Sequence, residues 1–400
     1  MSHRLAIHGG VPVRKSMLPY GCQSVDESDI QVVAEVLRSD WLTTGPKVLE
    51  FEQAFADLVG QSYAVSVSSG TAALHAAMYA LGITSGDEVI VPAMTFVATA
   101  NCVVYQGGTP IFCDVEPDTL LLDPDKLESK ITSRSKAILV MDYAGHPCDY
   151  DTIRAIADRH GLALVADACH SLGGSYKGIS VGSLADLNVF SFHPVKAITT
   201  GEGGMITTDN EALADELRIF RNHGVTSDHR QRADKGSFFY EMAELGFNYR
   251  LTDFQSALGL SQLYKLPEFV VRRQEIAVLY DVALSDTPAI FPLTVRSEVS
   301  HAYHLYVVQL DLSAISMNRA QLFAALRAEN IGANVHYIPV YWHPYYRHLG
   351  YQKGICPIAE TAYQQILSLP IYPRMSDRDV ETAVRSVGKV ISYYAHAKRL

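Results

Sequence analysis

The chain has 400 residues, of which 48% are hydrophobic and 19% charged, so it is long enough to bury a large core. Its formal net charge of −10 argues against a nucleic-acid-binding protein, which would carry a basic face. No apolar run approaches membrane-spanning length, and the N-terminal MSHRLAIHGG lacks the core of a signal peptide. The six cysteines form no CxxC pair, so we expect a cytoplasmic protein with reduced thiols and no metal.

Helices and strands alternate through the first half of the chain. Residues 1–20 are predicted to form an irregular N-terminal arm. Hydrophobic periodicity predicts helices at 24–39, 48–59, 72–81, 95–105 and 150–160. Short β-rich runs predict strands at 63–68, 88–91, 110–114, 136–141, 162–166, 189–192 and 205–208. This alternation favours an α/β fold, with a mostly parallel sheet covered by helices on both faces.

The second half of the chain is predicted to contain three further helices, followed by a C-terminal domain smaller than the first. We predict helices at 210–223, 252–263 and 268–285, the second with a capping box of Thr252 and Gln255, and a loop at 225–240. After a change in composition at 287–301, we predict strands at 303–310 and 334–337, a helix capped by Asn318, and a terminal helix from Asp377. The predicted organisation is an arm at 1–20, a large domain at 21–265 and a small α+β domain at 266–400.

One lysine lies between a predicted buried strand and a glycine-rich turn. Lys196 follows the strand at 186–192 and precedes the glycines of 201–204 in SFHPVKAITTGEGG. Desolvation at such a position lowers the pKa of an amine, and a neutral amine forms Schiff bases with carbonyls. By itself the pattern is weak, because most lysines near glycines only solvate a loop.

Two further features lie at the ends of predicted strands. Ser69-Gly70-Thr71 joins a strand to a helix, which is a natural phosphate site, although the same residues could simply cap the helix. Asp167 and Ser191 each end another strand. Ligands of such sheets bind beyond the carboxyl ends of the strands. A phosphate cradle, an acid and an amine together are what pyridoxal 5'-phosphate requires.

The motifs extend over nearly the whole chain and resemble one family. They are WLTTGP, SSGTAAL, PAMTFVATAN, VADACHSLGG, SFHPVKAITTGEGG, FRNHG, GFNYRLTDFQSALGLSQL, HAYHLYVV and VHYIPV. The sequence resembles the DegT/DnrJ/EryC1/StrS sugar aminotransferases, which implies the fold type I architecture of pyridoxal-phosphate enzymes. Some relatives replace the lysine by histidine and become dehydratases; this chain keeps Lys196, which favours transamination.

The resemblance also implies roles for individual residues. Lys196 matches the catalytic Schiff-base lysine, and a homodimer with shared active sites is implied. The residues implied to bind the cofactor are Ser69, Gly70, Thr71 and Ser191 at the phosphate, Phe96 on the ring face, Asp167 at the ring nitrogen, His170 near the ring hydroxyl, and Asn248 from the neighbouring subunit. The residues implied to lie on the substrate side are Tyr20, Thr44, Arg250 and His336. Simple core packing remains the alternative for Phe96.

The implied reaction transfers an amino group from L-glutamate to a nucleotide-linked keto sugar. DYAG, SFHPVKAITTGEGG and QSALGLSQL resemble the members of this family that act in pseudaminic acid biosynthesis, and this resemblance implies a UDP-linked 2-acetamido-2,6-dideoxyhexos-4-ulose as the substrate. Another 4-keto sugar, of the perosamine or 4-amino-fucose type, is the first alternative, and a non-catalytic regulatory protein on the same fold is the second. A nicotinamide-dependent enzyme ranks last, because the early strands lack a GxGxxG motif.

Overall fold

The computed structural model describes residues 4–227, 232 and 236–395. In chain order the α-helices are α1 (Glu27–Leu37), α2 (Pro46–Val59), α3 (Gly70–Ala80), α4 (Val97–Tyr105), α5 (Pro124–Leu127), α6 (Tyr150–His160), α7 (Glu211–Phe220), α8 (Asp253–Leu284), α9 (Arg319–Ala328), α10 (Pro344–His348), α11 (Pro357–Gln365) and α12 (Asp377–Tyr394). The strands are β1 (Tyr63–Val67), β2 (Glu88–Pro92), β3 (Thr109–Cys113), β4 (Ser135–Met141), β5 (Ala163–Asp167), β6 (Ser175–Tyr176), β7 (Ile179–Ser180), β8 (Leu187–Ser191), β9 (Gly204–Thr208), β10 (Ile290–Pro292), β11 (Val299–Ser300), β12 (Tyr306–Leu310) and β13 (Ile366–Leu369).

Within the described residues, seven strands form the central sheet in the order β1-β9-β8-β5-β4-β2-β3. The pairs from β8 to β3 are parallel, whereas β9 is antiparallel to both β1 and β8. Because two antiparallel pairings restore the direction, β1 points the same way as β8 and β5. The predicted mostly parallel sheet is confirmed, and Ser69, Asp167 and Ser191 therefore follow strand ends at one edge.

Packing of β8 fixes which of its side chains reach that edge. Phe190 and Phe192 are fully buried against Phe51 and Phe55 of α2. Since side chains alternate along a strand, Ser191 points to the opposite face. No helix in the described ranges is long and apolar enough to cross a membrane.

Two predictions about secondary structure are wrong. The helices predicted at 252–263 and 268–285 are one helix, α8, which continues through Pro267. Proline removes one backbone donor, and the burial of Leu266 and Val270 on either side of it offsets that loss. The strand predicted at 334–337 is absent from the described residues, because only Asn334 pairs, in a single bridge to Ser368.

Several smaller elements carried no sequence signal. The strands β6, β7, β10, β11 and β13 and the helices α10 and α11 are short, so periodicity could not indicate them, whereas β12 lies within the strand predicted at 303–310. The loop predicted at 225–240 falls partly on 228–231 and 233–235, which lie outside the described residues. The division at residue 265 stays a prediction, and it falls inside α8.

Candidate active site

Lys196 lies in the turn that follows β8. Its backbone N–H donates to the His193 carbonyl over 2.9 Å, and Thr199 Oγ1 and the Thr200 N–H both donate to the Phe192 carbonyl, at 3.0 and 3.1 Å. The lysine is half-buried, and burial lowers the pKa of its amine while the nearby Cys169 and Asp167 oppose that shift. The turn therefore presents an amine that loses its proton more readily than a solvated one.

Asp167 ends β5, and its side chain is only 3% exposed. Its Oδ2 accepts from Thr99 Oγ1 at 2.7 Å, and its Oδ1 accepts from the Cys169 N–H at 3.2 Å. A carboxylate can accept about four hydrogen bonds, so this one keeps capacity for a further donor. A protonated pyridine nitrogen is such a donor.

The N-terminus of α3 lies against the end of β8. Ser69 caps the helix by accepting from the Ala72 N–H over 3.1 Å. A β-carbon at Gly70 would lie 2.8 Å from Ser191 Cβ and 3.3 Å from Cys169 Sγ. The glycine therefore allows helix and strand to meet closely. Ser69 is a helix cap, and it also belongs to a helix N-terminus whose dipole favours a phosphate. Thr71 is half-buried in the first turn of that helix.

His170 and Phe96 meet a residue that sequence reasoning missed, Tyr337. The Tyr337 hydroxyl lies 3.2 Å from His170 Nε2, and its ring centroid lies 5.9 Å from that of Phe96. His170 is buried, and burial together with the nearby Lys196 lowers its pKa well below the usual value. Phe96 is 52% exposed, so simple core packing does not describe it.

The N-terminal arm brings Tyr20 to His336. Their ring centroids are 5.5 Å apart, and His336 Nδ1 lies 2.8 Å from Ser368 Oγ. Burial, with a contribution from Lys196, lowers the pKa of His336 to about 4. This imidazole is neutral at pH 7 and lies close enough to the lysine to feel its charge.

The structure places two of the implied residues elsewhere in this chain. Thr44 and Arg250 line another cavity, of about 450 Å³, whose lining shares no residue with the lysine cluster. Arg250 donates to Asn222 Oδ1 at 2.6 Å. Asn248 is exposed, beside Phe247 and Tyr249, whose rings stack at 5.0 Å. Thr44 and Arg250 thus line a cavity separate from the lysine cluster, whereas the segment of Asn248 runs beside the cradle, since the Ser68 N–H donates to the Tyr249 carbonyl over 2.7 Å.

The residues around Lys196 fit pyridoxal phosphate. A half-buried amine can form the covalent link, a buried carboxylate can hold the ring nitrogen, and Gly70 keeps open a cradle that a β-carbon would fill. With the parallel sheet, these features define a pyridoxal-phosphate enzyme of fold type I.

Comparison with known proteins specifies the class further. The sequence profile of the DegT/DnrJ/EryC1/StrS aminotransferase family matches residues 23–388, and the chain belongs to this family. It is thus a sugar aminotransferase that uses pyridoxal phosphate.

Three relatives illustrate the similarity. The spore coat polysaccharide biosynthesis protein SpsC of Bacillus subtilis is 43% identical over 384 residues, which cover 95% of this chain and 99% of SpsC. Helicobacter pylori PseC, an aminotransferase involved in the biosynthesis of pseudoaminic acid, has a TM-score of 0.89 at 32% identity, covering 95% of this chain and 100% of PseC. DesI, solved in the presence of its TDP-sugar product, has a TM-score of 0.88 at 31% identity, and the match covers 97% of this chain and 96% of DesI.

Proposed function

We propose that this enzyme transfers the amino group of L-glutamate to the 4-keto carbon of a UDP-linked 2-acetamido-2,6-dideoxyhexos-4-ulose, the reaction of pseudaminic acid biosynthesis. The observation that carries the chemistry is the half-buried Lys196, whose amine pKa is lowered, between Asp167 and the Gly70 cradle. The similarity to PseC over 95% of the chain supports the sugar.

The proposed roles follow from the contacts. Bound pyridoxal phosphate supplies a carbonyl that takes up amino groups and a ring that withdraws electrons. Lys196 Nζ would take the proton from the donor carbon that bears the amino group and pass it to the carbonyl-derived carbon of the cofactor, acting as general base and then as general acid. The Asp167 carboxylate holds the proton on the ring nitrogen, while Ser69, Gly70, Thr71 and Ser191 bind the phosphate.

The remaining side chains bind and orient. Phe96 covers one face of the ring, and His170 hydrogen-bonds at the ring hydroxyl. Neutral His336 and Tyr20 lie beside the lysine, where the sugar would enter. The neutral imidazole adds no positive charge that would repel the protonated amine of the donor.

The sugar specificity is tested with purified enzyme, glutamate and matched 4-keto nucleotide sugars. We expect the UDP-linked 2-acetamido ketosugar to gain one amino group, detected by mass spectrometry of the product, together with 2-oxoglutarate. Preferential amination of a substrate without the acetamido group would overturn the proposed sugar and leave the aminotransferase assignment standing.

A second candidate is another 4-keto sugar, of the perosamine or 4-amino-fucose type. SpsC, 43% identical, is named for spore coat polysaccharide biosynthesis, and DesI is named with a TDP-sugar product. TDP- and GDP-linked 4-keto sugars therefore belong in the same substrate panel. A regulatory protein without catalysis would leave the absorbance of the bound cofactor unchanged when glutamate is added.

We also propose that two copies, in the cytoplasm, form a homodimer with shared sites. Large apolar side chains are exposed just before Asn248, and they are Phe238, Phe239, Tyr240, Met242 and Leu245. Apolar patches of this kind mark protein interfaces. In such a dimer Asn248, with Thr44 and Arg250 nearby in the fold, would complete the site of the partner.

A further inference from the structure

The start of α4 carries two buried threonines on either side of an exposed ring. Thr95 is 1% exposed and Thr99 is 0% exposed, whereas Phe96 between them is 52% exposed. Thr99 lies in the first turn of α4 and Thr95 directly precedes the N-cap Phe96, and both hydroxyls are on the inner side. This segment thus presents Phe96 to the candidate cofactor site and two hydroxyls to the interior.

The two hydroxyls form a chain that ends on the carboxylate of Asp167. Thr95 Oγ1 lies 2.6 Å from Thr99 Oγ1, and Thr99 Oγ1 lies 2.7 Å from Asp167 Oδ2. An ionised carboxylate only accepts hydrogen bonds, so the single hydroxyl proton of Thr99 points to Asp167. Thr99 is then left to accept. Thr95 Oγ1 also lies 2.7 Å from Met141 Sδ, but a thioether sulfur is a weaker acceptor than a hydroxyl oxygen, so the proton of Thr95 points to Thr99. The hydrogen bonds therefore run in one direction, from Thr95 through Thr99 to Asp167.

We propose that Thr99, supported by Thr95, is a positioning residue that sets the orientation and basicity of Asp167 towards the ring nitrogen of pyridoxal phosphate. The inference rests on the role proposed above for Asp167. A hydrogen bond to Oδ2 stabilises the ionised carboxylate and fixes its plane, and a fixed, ionised carboxylate keeps the ring nitrogen protonated.

Thr99 shares the Asp167 carboxylate with Cys169, whose N–H donates to Oδ1 and whose thiol is also hydrogen-bonded to the carboxylate, whereas the contact to Oδ2 comes from Thr99. Titratable side chains within electrostatic reach of the carboxylate come from α4, α6, the segment after β5, the Lys196 turn and the 334–340 loop, and they are Cys102, Tyr150, Cys169, Lys196 and Tyr337. Burial raises the pKa of both thiols and both phenols, so these four stay neutral at pH 7. Lys196 is the cation of this set, and its amine is engaged in the chemistry.

A purely structural role for Thr99 would give a different pattern from the one proposed. Thr207 on β9 is also 0% exposed, and its Oγ1 donates to the Gly182 carbonyl over 2.7 Å. Each threonine hydroxyl donates one buried hydrogen bond, and Thr99 also accepts one from Thr95, so replacing either by valine removes a buried donor. Only the bond of Thr99 ends on the carboxylate that faces the cofactor, so Thr207→Val is the matched control.

The experiment measures cofactor binding and the cofactor's spectrum in Thr99→Val, Thr99→Ser and Thr207→Val holoenzymes. We expect Thr99→Val to bind pyridoxal phosphate about tenfold more weakly, because hydrogen bonds to charged groups contribute at that level. The pH midpoint of the absorbance change of the bound cofactor should rise, since a less firmly protonated ring withdraws electrons less strongly from the groups conjugated with it. Thr99→Ser should behave as the parent, and Thr207→Val should lower only the thermal midpoint.

Asp167→Asn separates the inference from the proposed role of Asp167. If Asp167→Asn loses affinity and shifts the midpoint while Thr99→Val changes neither, the inference is wrong and the role of Asp167 stands. If Asp167→Asn changes neither the cofactor affinity nor the pH midpoint, the proposed role of Asp167 is wrong, and so is the inference about Thr99. Thr95→Val should shift the midpoint in the same direction as Thr99→Val by a smaller amount, and an opposite shift would contradict the direction of the chain.

Discussion

The Tyr20 ring packs against the His336 ring with their centroids 5.5 Å apart, joining the N-terminal arm to the loop after α9. Backbone hydrogen bonds hold the arm here: the Gly332 N–H donates to the Leu18 carbonyl over 2.7 Å, and the Ile371 N–H donates to the Tyr20 carbonyl over 3.1 Å. If Tyr20 and His336 lie on the substrate side as proposed, the arm forms part of the site wall, and residues that fix it should affect substrate binding.

Glu329 is the first such residue. Its carboxylate is fully buried and accepts from the Ala6 N–H at 2.9 Å, the Val13 N–H at 2.8 Å and Lys389 Nζ at 2.8 Å. Replacing it by alanine leaves buried donors without an acceptor, so Glu329→Ala should lower the free energy of unfolding by about 2–4 kcal/mol. Trypsin should then cleave faster in the arm, after Arg14, as followed by mass spectrometry.

The control for Glu329 is Glu381, an exposed glutamate on α12, the helix that carries Lys389. Glu381→Ala should leave both the unfolding free energy and arm cleavage within error of the parent. Equal arm cleavage in the Glu329 and Glu381 variants would show that the carboxylate does not hold the arm.

Gly70 and Gly388 form a pair of glycine-to-alanine substitutions with opposite expectations. A β-carbon at Gly70 meets Ser191 at 2.8 Å, so Gly70→Ala should distort the phosphate cradle and weaken cofactor binding by about tenfold or more. At Gly388, inside α12, an added β-carbon meets no described atom within 4 Å. Gly388→Ala should raise the unfolding free energy by up to about 1 kcal/mol and leave the cofactor dissociation constant unchanged. Equal dissociation constants for the two variants would exclude Gly70 from the cradle.

His336 should make stability fall in mild acid. Burial lowers its pKa to about 4, whereas an unfolded histidine titrates near pH 6.5. Between these values the unfolded chain binds more protons, so the free energy of unfolding decreases as the pH falls from 6.5 to about 4, by up to about 3 kcal/mol. His336→Asn cannot titrate and should show a shallower decrease in denaturant unfolding at pH 4.5, 5.5 and 6.5. Burial also lowers the pKa of His75 to about 4, but that contribution is common to both proteins. Parallel curves for parent and variant would contradict the assignment.

Local signals in the sequence predicted most of the large elements. The capping box of Thr252 and Gln255 and the cap at Asn318 are both present. The first helix starts later than predicted, because Asp26 rather than Ser24 caps it through a box with Asp29. Local rules failed at Pro267, where tertiary burial overrides the tendency of proline to end a helix.

The sequence predicted those residues of the candidate site that lie at the carboxyl ends of strands. Asp167 and Ser191 end the parallel neighbours β5 and β8, so both lie at the same edge of the sheet. Tyr337 and Thr99 could not be chosen in that way, since their contacts to His170 and Asp167 join distant segments. The i, i+4 threonines in PAMTFVATAN were the available signal for Thr99. In the proposed dimer Thr44 and Arg250 would approach the lysine of the partner chain, and no pattern within a single chain predicts such a position.

Mixing two inactive variants tests whether sites are shared between subunits. Lys196→Ala should keep its fold and lose turnover, because no other group carries the cofactor. Asn248→Ala should lose most cofactor affinity, because the proposed phosphate donor from the partner is gone. In a hybrid dimer both lesions fall in one site, so the other site holds an intact Lys196 and an intact Asn248.

Co-refolding the two variants in equal amounts should therefore restore about a quarter of parental activity, since half of the dimers are hybrids and each hybrid has one complete site. The control mixes Lys196→Ala with Asp167→Asn, two residues of the same chain's cluster. If sites are shared as proposed, Lys196 and Asp167 of one chain serve one site, so each site of that hybrid carries one lesion or the other and stays inactive. Absence of recovery in the Asn248 mixture would show that Asn248 serves its own chain. Recovery in the control would show that Lys196 and Asp167 of one chain serve different sites.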